Sequence, residues 1–267
     1  MRLRRVGPRS LPRLGDADAR LPVEPPPDAI LKPATRQLVD RIGELQEKFY
    51  ADGRFALLVV LQGRDASGKD GTMKKVFAEA DPQGVEVTSF KVPTPLERRH
   101  DFLWRVHARV PARGMFGLFN RSHYEDVLVP RVHGELTTKE TLARLGQIND
   151  FERMLAANGV VILKFMLHIS RDEQRKQLQE RLTDPTKNWK FNAGDLDDRA
   201  RWGDYTRAYR LALTRTSTPH APWHVVPADD KDVRNWLVAE TVVDTLESLD
   251  LRYPRAPRSV LKMRIPR

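Results

Sequence analysis

The chain contains no cysteine. That excludes disulfide staples, thiolate chemistry and zinc sites built on sulfur, and it fits the cytoplasm, the compartment expected here. No apolar run approaches the roughly 20 residues that a bilayer-spanning helix requires, so an integral membrane protein is not expected and no membrane partner is predicted, although basic tails could still meet a membrane surface, RNA or another polyanion. Internal repeats are absent, and low complexity is confined to the two ends. What is present, 267 residues with 40% hydrophobic and 31% charged content, is the make-up of an ordinary soluble globular protein. The length suits one large α/β domain or two small ones.

Acid is outnumbered most clearly at the two ends. Residues 1–20 hold six Arg against two Asp, and residues 252–267 hold six Lys or Arg against no acid, which together equal the whole excess of +10. The body between is formally neutral, so no specific nucleic-acid partner is expected, since a basic nucleic-acid domain carries its charge in the folded core. Residues 1–33, Arg-rich and then Pro-rich ("LPVEPPPDA"), are expected to form a flexible arm and linker. The basic tail at 252–267 is expected to be solvated.

Within 34–251, "ATRQLVDRIGELQEKFYA" (34–51) has helical spacing, and "ALLVVLQ" (56–62) is a continuous apolar run, the mark of a strand buried on both faces. Further strands are predicted at 85–92, 114–120, 160–169 and 223–228. Helical patterns lie near 69–80, 95–109, 137–157, 171–183, 196–216 and 231–249. Alternation of this kind predicts a doubly wound parallel sheet, with ligands at the carboxyl ends of its strands. Residues about 182–210, polar and aromatic, interrupt the alternation and are predicted to form a lid.

The strand at 56–62 runs into "GRDASGKDGT". Gly63 to Lys69 fits the phosphate-binding spacing G-x-x-x-x-G-K between a strand and a helix, where backbone N–H groups and the helix terminus meet phosphate oxygens. Gly63, Arg64, Ala66, Ser67, Gly68, Asp70, Gly71 and Thr72 are therefore phosphate-binding candidates, with Lys69 as a point charge. The position after Lys69 ordinarily carries Ser or Thr. Here it is Asp70, and Asp65 adds a second acid. A carboxylate beside phosphate is unfavourable unless a divalent cation lies between them. Asp65 thus holds magnesium or accepts hydrogen bonds from an incoming acceptor; Asp70 shares that task or answers the helix dipole.

"FNRSHYEDVLVPRVH" (119–133) follows the predicted strand at 114–120 and offers Asn120, Arg121, Glu125, Asp126 and Arg131 at a strand's carboxyl end. Arginine suits multidentate phosphate contact, and the acids suit metal or ribose contact. A salt-bridged helix start is the plainer alternative. His123 and His133 lack metal-ligand spacing and are expected to be structural. Lys74, Lys75, Arg181, Lys187 and Lys190 would make a track for a polyanion if they converge on one cleft.

Six segments, "GRDASGKDGT", "FKVPTPLERRHDFLWR", "FNRSHYEDVLVPRVH", "LKFMLHIS", "DPTKNWKFNAGDLDDRARWGDY" and "STPHAPWHVVPADDK", together resemble the polyphosphate kinase 2 family over roughly residues 35–250. "NRSHYEDVL" is most similar to the subgroup that phosphorylates both AMP and ADP. The resemblance implies an α/β, P-loop kinase-like, three-layer fold with a parallel, roughly five-stranded sheet and a helical lid. It implies phosphoryl transfer between inorganic polyphosphate and AMP, ADP or ATP, with Mg²⁺ as cofactor and Mn²⁺ as a substitute. A homodimer or homotetramer is implied as well.

Carried onto this chain, Asp65, Lys69 and Arg121 would be catalytic, and Asp65 and Asp126 would meet the metal. Asn120, Glu125 and Asp126 would bind nucleotide, with Asn120 standing where many relatives have an acid. Arg131, Arg181, Lys187 and Lys190 would clamp phosphates, and Lys74 and Lys75 would line the polyphosphate track. Two other readings compete: an ATP-dependent nucleoside monophosphate kinase, which would keep Ser or Thr at position 70, and a non-catalytic polyanion binder, against which Lys69, Asp65 and Arg121 count.

Overall fold

Ala56–Gly63 forms the strand about which the molecule is organised (β1), with all eight residues buried. Alternate side chains serve opposite faces: Leu57, Val59 and Leu61 join one apolar cluster, and Ala56, Leu58 and Val60 the other. Burial on both faces is why the run is continuously apolar. Each of its large side chains contributes about 1.5–3 kcal/mol by leaving water. The computed structural model describes residues 2–265.

Four more strands complete the sheet: β2 (Val85–Ser89), β3 (Phe116–Asn120), β4 (Val160–His168) and β5 (Trp223–Pro227). Their order is β2-β3-β1-β4-β5 and every pairing is parallel. On one face lie α1 (Asp28–Asp52), α2 (Lys69–Val76) and α9 (Lys231–Glu247); the other carries α4 (Glu125–Val132), α5 (Thr138–Ala157) and α8 (Trp202–Thr216). Between α5 and α8 the chain forms α6 (Arg171–Thr183) and α7 (Gly194–Ala200). The strands on either side of β1 continue in opposite directions along the sheet, so a crevice opens at the carboxyl end of β1. In register, Leu61 of β1 faces Asn120 of β3 and Gly63 faces Leu167 of β4.

Several boundaries differ from the sequence expectation. Residues 2–20 do not form a free arm: Arg5 bridges His224 in antiparallel fashion, Val6 N donates to Trp223 O at 2.8 Å, and Leu14 and Ala19 are buried. Apolar residues recurring among the arginines give this segment a face to bury. Helix α1 begins at Asp28, ahead of its internal Pro33, and burial of Leu31 at 2% exposure offsets the missing backbone bond. The pattern near 95–109 yields only a short 3₁₀ turn (Glu97–Arg99) and α3 (Trp104–His107).

The pattern at 196–216 breaks at Arg201, and from Tyr205 onward α8 belongs to the core. The stretch between α6 and α8 is therefore residues 184–201, shorter than the 182–210 expected for a lid. Residues 252–265 are exposed, with a four-residue helix α10 (Arg258–Leu261) among them. No helix of the described residues is long and apolar enough to cross a membrane.

Candidate active site

After Gly63 the chain turns through a tight loop before α2 begins at Lys69. Ala66 holds a left-handed φ of 65° and Gly68 one of 91°. A side chain at Gly68 would overlap the guanidinium of Arg234, which reaches across from α9 and donates to Ser67 O at 3.3 Å. A non-glycine residue in left-handed geometry costs of order 1–2 kcal/mol, and such strain gathers where a loop must present its amides to a ligand.

Lys69 is 7% exposed, and its Nζ donates to Gly63 O at 2.7 Å and Arg64 O at 3.0 Å. Burial pushes the ammonium down to about 8, with Arg121 acting in the same direction and Asp65 and Glu125 against it. Ser67 and Thr72 are fully buried, and the Thr72 hydroxyl donates to Gly68 O at 3.1 Å. Arg64, expected as a phosphate ligand, sends its side chain out of the loop and onto the ring of Trp202.

Arg121 stands just past β3 with a left-handed φ of 61°, its N–H donating to Leu61 O at 3.0 Å. That anchoring to β1 aims its guanidinium at the loop, where it donates to the Asp65 carboxylate and, at 3.0 Å, to Glu125 Oε2. The two acids raise the guanidinium's hold on its proton. Burial pushes the Glu125 carboxyl up while Arg121 and Lys69 pull it down. Beside this trio, the Asn120 amide donates to Asp70, so the unusual acid after Lys69 is tied to the end of β3.

These groups line one cleft of about 1720 Å³, larger than the 300–1,000 Å³ of usual ligand pockets and suited to two reactants side by side. Among the sequence candidates it gathers Asp65, Lys69, Asp70, Asn120, Arg121, Glu125 and Asp126, and from α6 and the stretch that follows it Arg181, Lys187 and Lys190. Arg181 is held by Asp195 at 3.1 Å and Lys187 by Glu180 at 2.5 Å, while Trp189 is 78% exposed in the rim. Lys74 and Lys75 lie on the exposed side of α2, and Arg131 donates to Leu136 O; these three are outside the cleft lining.

His123 is buried 3.2 Å from Glu152, and His133 pairs with Asp198 at 3.1 Å, so neither faces the loop's lysine.

The family profile described as "Polyphosphate kinase 2 (PPK2)" matches residues 30–254. The chain belongs to the polyphosphate kinase 2 family. It is 54% identical over 215 residues to an AMP/ADP-polyphosphate phosphotransferase of Meiothermus ruber, covering 80% of each chain. It is 42% identical over 245 residues to an ADP-polyphosphate phosphotransferase of Rhodopseudomonas palustris, covering 86% of this chain and 85% of that one. The crystal structure of Polyphosphate Kinase 2 from Arthrobacter aurescens TC1 superposes with a TM-score of 0.87 at 41% identity, over 97% of this chain and 98% of that one.

The oxygen donors of this cleft suit magnesium. Asp65, Asp70, Glu125 and the Asn120 amide offer hard ligands around the loop. Among the described residues no group of three acids or histidines cages an ion. A magnesium ion here would be held by one or two of these carboxylates, with substrate phosphates completing its ligands. Asp126 has another partner: Arg105 donates to its Oδ2 at 2.8 Å and also to Lys91 O at 2.8 Å. Burial raises the Asp126 carboxyl, with the Arg105 pair opposing.

Arg105, Arg234 and the Arg64–Trp202 stack were missed from sequence. Each is a long-range contact of a common residue type with no local signature.

Proposed function

We propose that this chain transfers a phosphoryl group between inorganic polyphosphate and a nucleotide, with AMP and ADP as acceptors, as the name of its Meiothermus relative, an AMP/ADP-polyphosphate phosphotransferase, suggests. One observation carries the reading: the guanidinium of Arg121 lies between two carboxylates, Asp65 and Glu125, beside the buried Lys69, in a cleft with room for two anions. An acceptor phosphate has its second pKa near 6 and so presents a bare oxygen at neutral pH. No general base is then needed; the difficulty is bringing like charges together, about 4 kcal/mol for unit charges at 4 Å and an effective dielectric of 20.

The acceptor oxygen bonds to the terminal phosphorus of the donor, and the bond to the next phosphate's bridging oxygen breaks. Lys69 and Arg121 meet the charge on the transferring group, and preorganised donors of this kind act without reorganising during the step. Glu125 keeps Arg121 aimed. Asp65 would hold Mg²⁺, with Mn²⁺ as its substitute; when bound, the ion neutralises phosphate charge. Asp126 supports the site through Arg105, and Asn120 through Asp70. Arg181, Lys187 and Lys190 hold donor phosphates from the lid side, and Trp189 covers the rim.

The oligomer, dimeric or tetrameric, and a cytoplasmic location complete the proposal. The test is transfer from polyphosphate in the presence of Mg²⁺ to either nucleotide; transfer from ATP alone would favour an ordinary nucleotide kinase.

A further inference from the structure

Two consecutive residues of the phosphate loop are tied to the two roots of the lid. Arg64, 8% exposed, lies with its Cζ 3.8 Å from the centroid of the Trp202 ring at the start of α8. Its Nη2 donates to Thr206 Oγ1 at 2.6 Å and to Trp202 O at 3.1 Å, and the rings of Tyr205 and Tyr209 stand 5.9 Å away. On the other root, Gln174 of α6 donates to Asp65 O at 3.1 Å. Its own oxygen accepts at 2.9 Å from Arg199 of α7, inside the lid segment. Arg199 also donates to Arg171 O at 2.7 Å, closing a path from α6 through the lid to the loop.

The loop ends of these ties carry the chemistry. The carbonyl of Arg64 is one of two acceptors that hold the Lys69 ammonium, and Asp65 bears the carboxylate paired with Arg121. A shift of α8 relative to α6 therefore pulls on the backbone that aims both groups. The Arg64 side chain does not line the large cleft, so it has no phosphate to bind there. Its burial without a bonded carboxylate among the described residues is unfavourable for a cation, and the stacking on Trp202 is what answers it.

We propose that Arg64 and Gln174 are positioning residues that couple the placement of the lid segment, residues 184–201, to the aim of Lys69 and Asp65 in the phosphate loop. This rests on the transfer reaction proposed above.

The test uses the full chain with polyphosphate, Mg²⁺ and ADP. Arg64→Met is expected to lower kcat by about 10- to 100-fold, the effect of a misaimed group, while KM for either substrate moves less than about threefold. Arg64→Lys, which keeps a cation for the ring, should regain most of the rate. Trp202→Leu should cost as much alone as Arg64→Met does, and little more when combined with it, because the two act as one unit.

A rise in KM with kcat intact would make Arg64 a substrate ligand and overturn the inference, as would additive losses in the double variant. Amide hydrogen exchange gives a readout independent of turnover: residues 184–201 should exchange faster in Arg64→Met and in Gln174→Leu than in the wild type. Unchanged exchange there refutes the coupling even if the wild type proves inactive, an outcome that would separately reject the proposed reaction.

Discussion

The Lys69 ammonium is buried against carbonyls and, among the described residues, is bonded to no carboxylate. Burial brings its pKa from 10.5 to about 8, which corresponds to roughly 3 kcal/mol of penalty on the charged form. Two consequences follow from the one number. In the free enzyme the cation is present below about pH 8 and lost above it, and kcat/KM reports the free enzyme. The profile of kcat/KM should therefore stay level to pH 8 and fall about tenfold per unit beyond. A second decline is expected below pH 6, where the acceptor phosphate takes up a proton. Lys69→Arg should carry the upper limb past pH 10, because guanidinium does not release its proton in that range.

The second consequence concerns stability. The folded value lies below the unfolded one, so the unfolded chain holds more protons between pH 8 and 10.5. Stability therefore rises with pH across that window, and below it the full penalty stands. Lys69→Met removes the penalty but leaves two carbonyls without their donor, at about 1 kcal/mol each. The net is about 1 kcal/mol in favour of the variant at pH 7, or a Tm higher by about 2–4 °C, in a protein that has lost its turnover. Calorimetric melting at pH 7 is the assay. A variant that melts below the wild type would refute the reading of Lys69 as a strained, functional cation.

Other substitutions probe the neighbouring parts. Arg121→Met should lower kcat by about 10²–10³-fold with modest change in KM, as measured by initial rates of ATP formation. Gly68→Ala meets both the left-handed φ and the Arg234 guanidinium; it should abolish turnover, with Arg234→Ala restoring part of the lost stability but not the rate. Lys164, fully buried, bonds Glu152 at 2.6 Å, Tyr124 at 2.9 Å and Thr216 O at 2.8 Å beneath the segment that carries Arg121. Lys164→Met leaves the buried Glu152 carboxylate without its lysine cation, with only the Tyr124 hydroxyl at 2.9 Å and His123 at 3.2 Å against it, so destabilisation of about 3–5 kcal/mol and a melting point lower by about 10 °C are expected by thermal scanning.

The apolar runs made the five strands legible, because a strand buried on both faces leaves little else to read. Val160–His168 shows the limit: Lys164 sits in its middle, and its pairing with Glu152 of α5, with Tyr124 and Thr216 O beside it, makes that tolerable. The phosphate loop was legible from spacing, and so was its company with Asn120 and Arg121, since both follow strands whose carboxyl ends must meet. Long-range partners were not. Nothing near Arg64 in the sequence points to Trp202, and nothing near Asp126 points to Arg105. The arm at 2–20 was misjudged because charge dominated its composition, while Leu14 and Ala19, spaced among the arginines, decide its packing. Lys74 and Lys75 follow the loop closely in sequence, yet their α2 positions turn them to solvent.

The most direct measurement is chromatographic separation of nucleotides after the chain is incubated with polyphosphate, Mg²⁺ and either AMP or ADP, beside Lys69→Ala and Asp65→Asn. The account predicts ADP and ATP from AMP, ATP from ADP, and neither product with either variant. ATP from ADP alone would contradict the dual acceptor while keeping the reaction. No product from polyphosphate, together with transfer from ATP, would contradict the central claim.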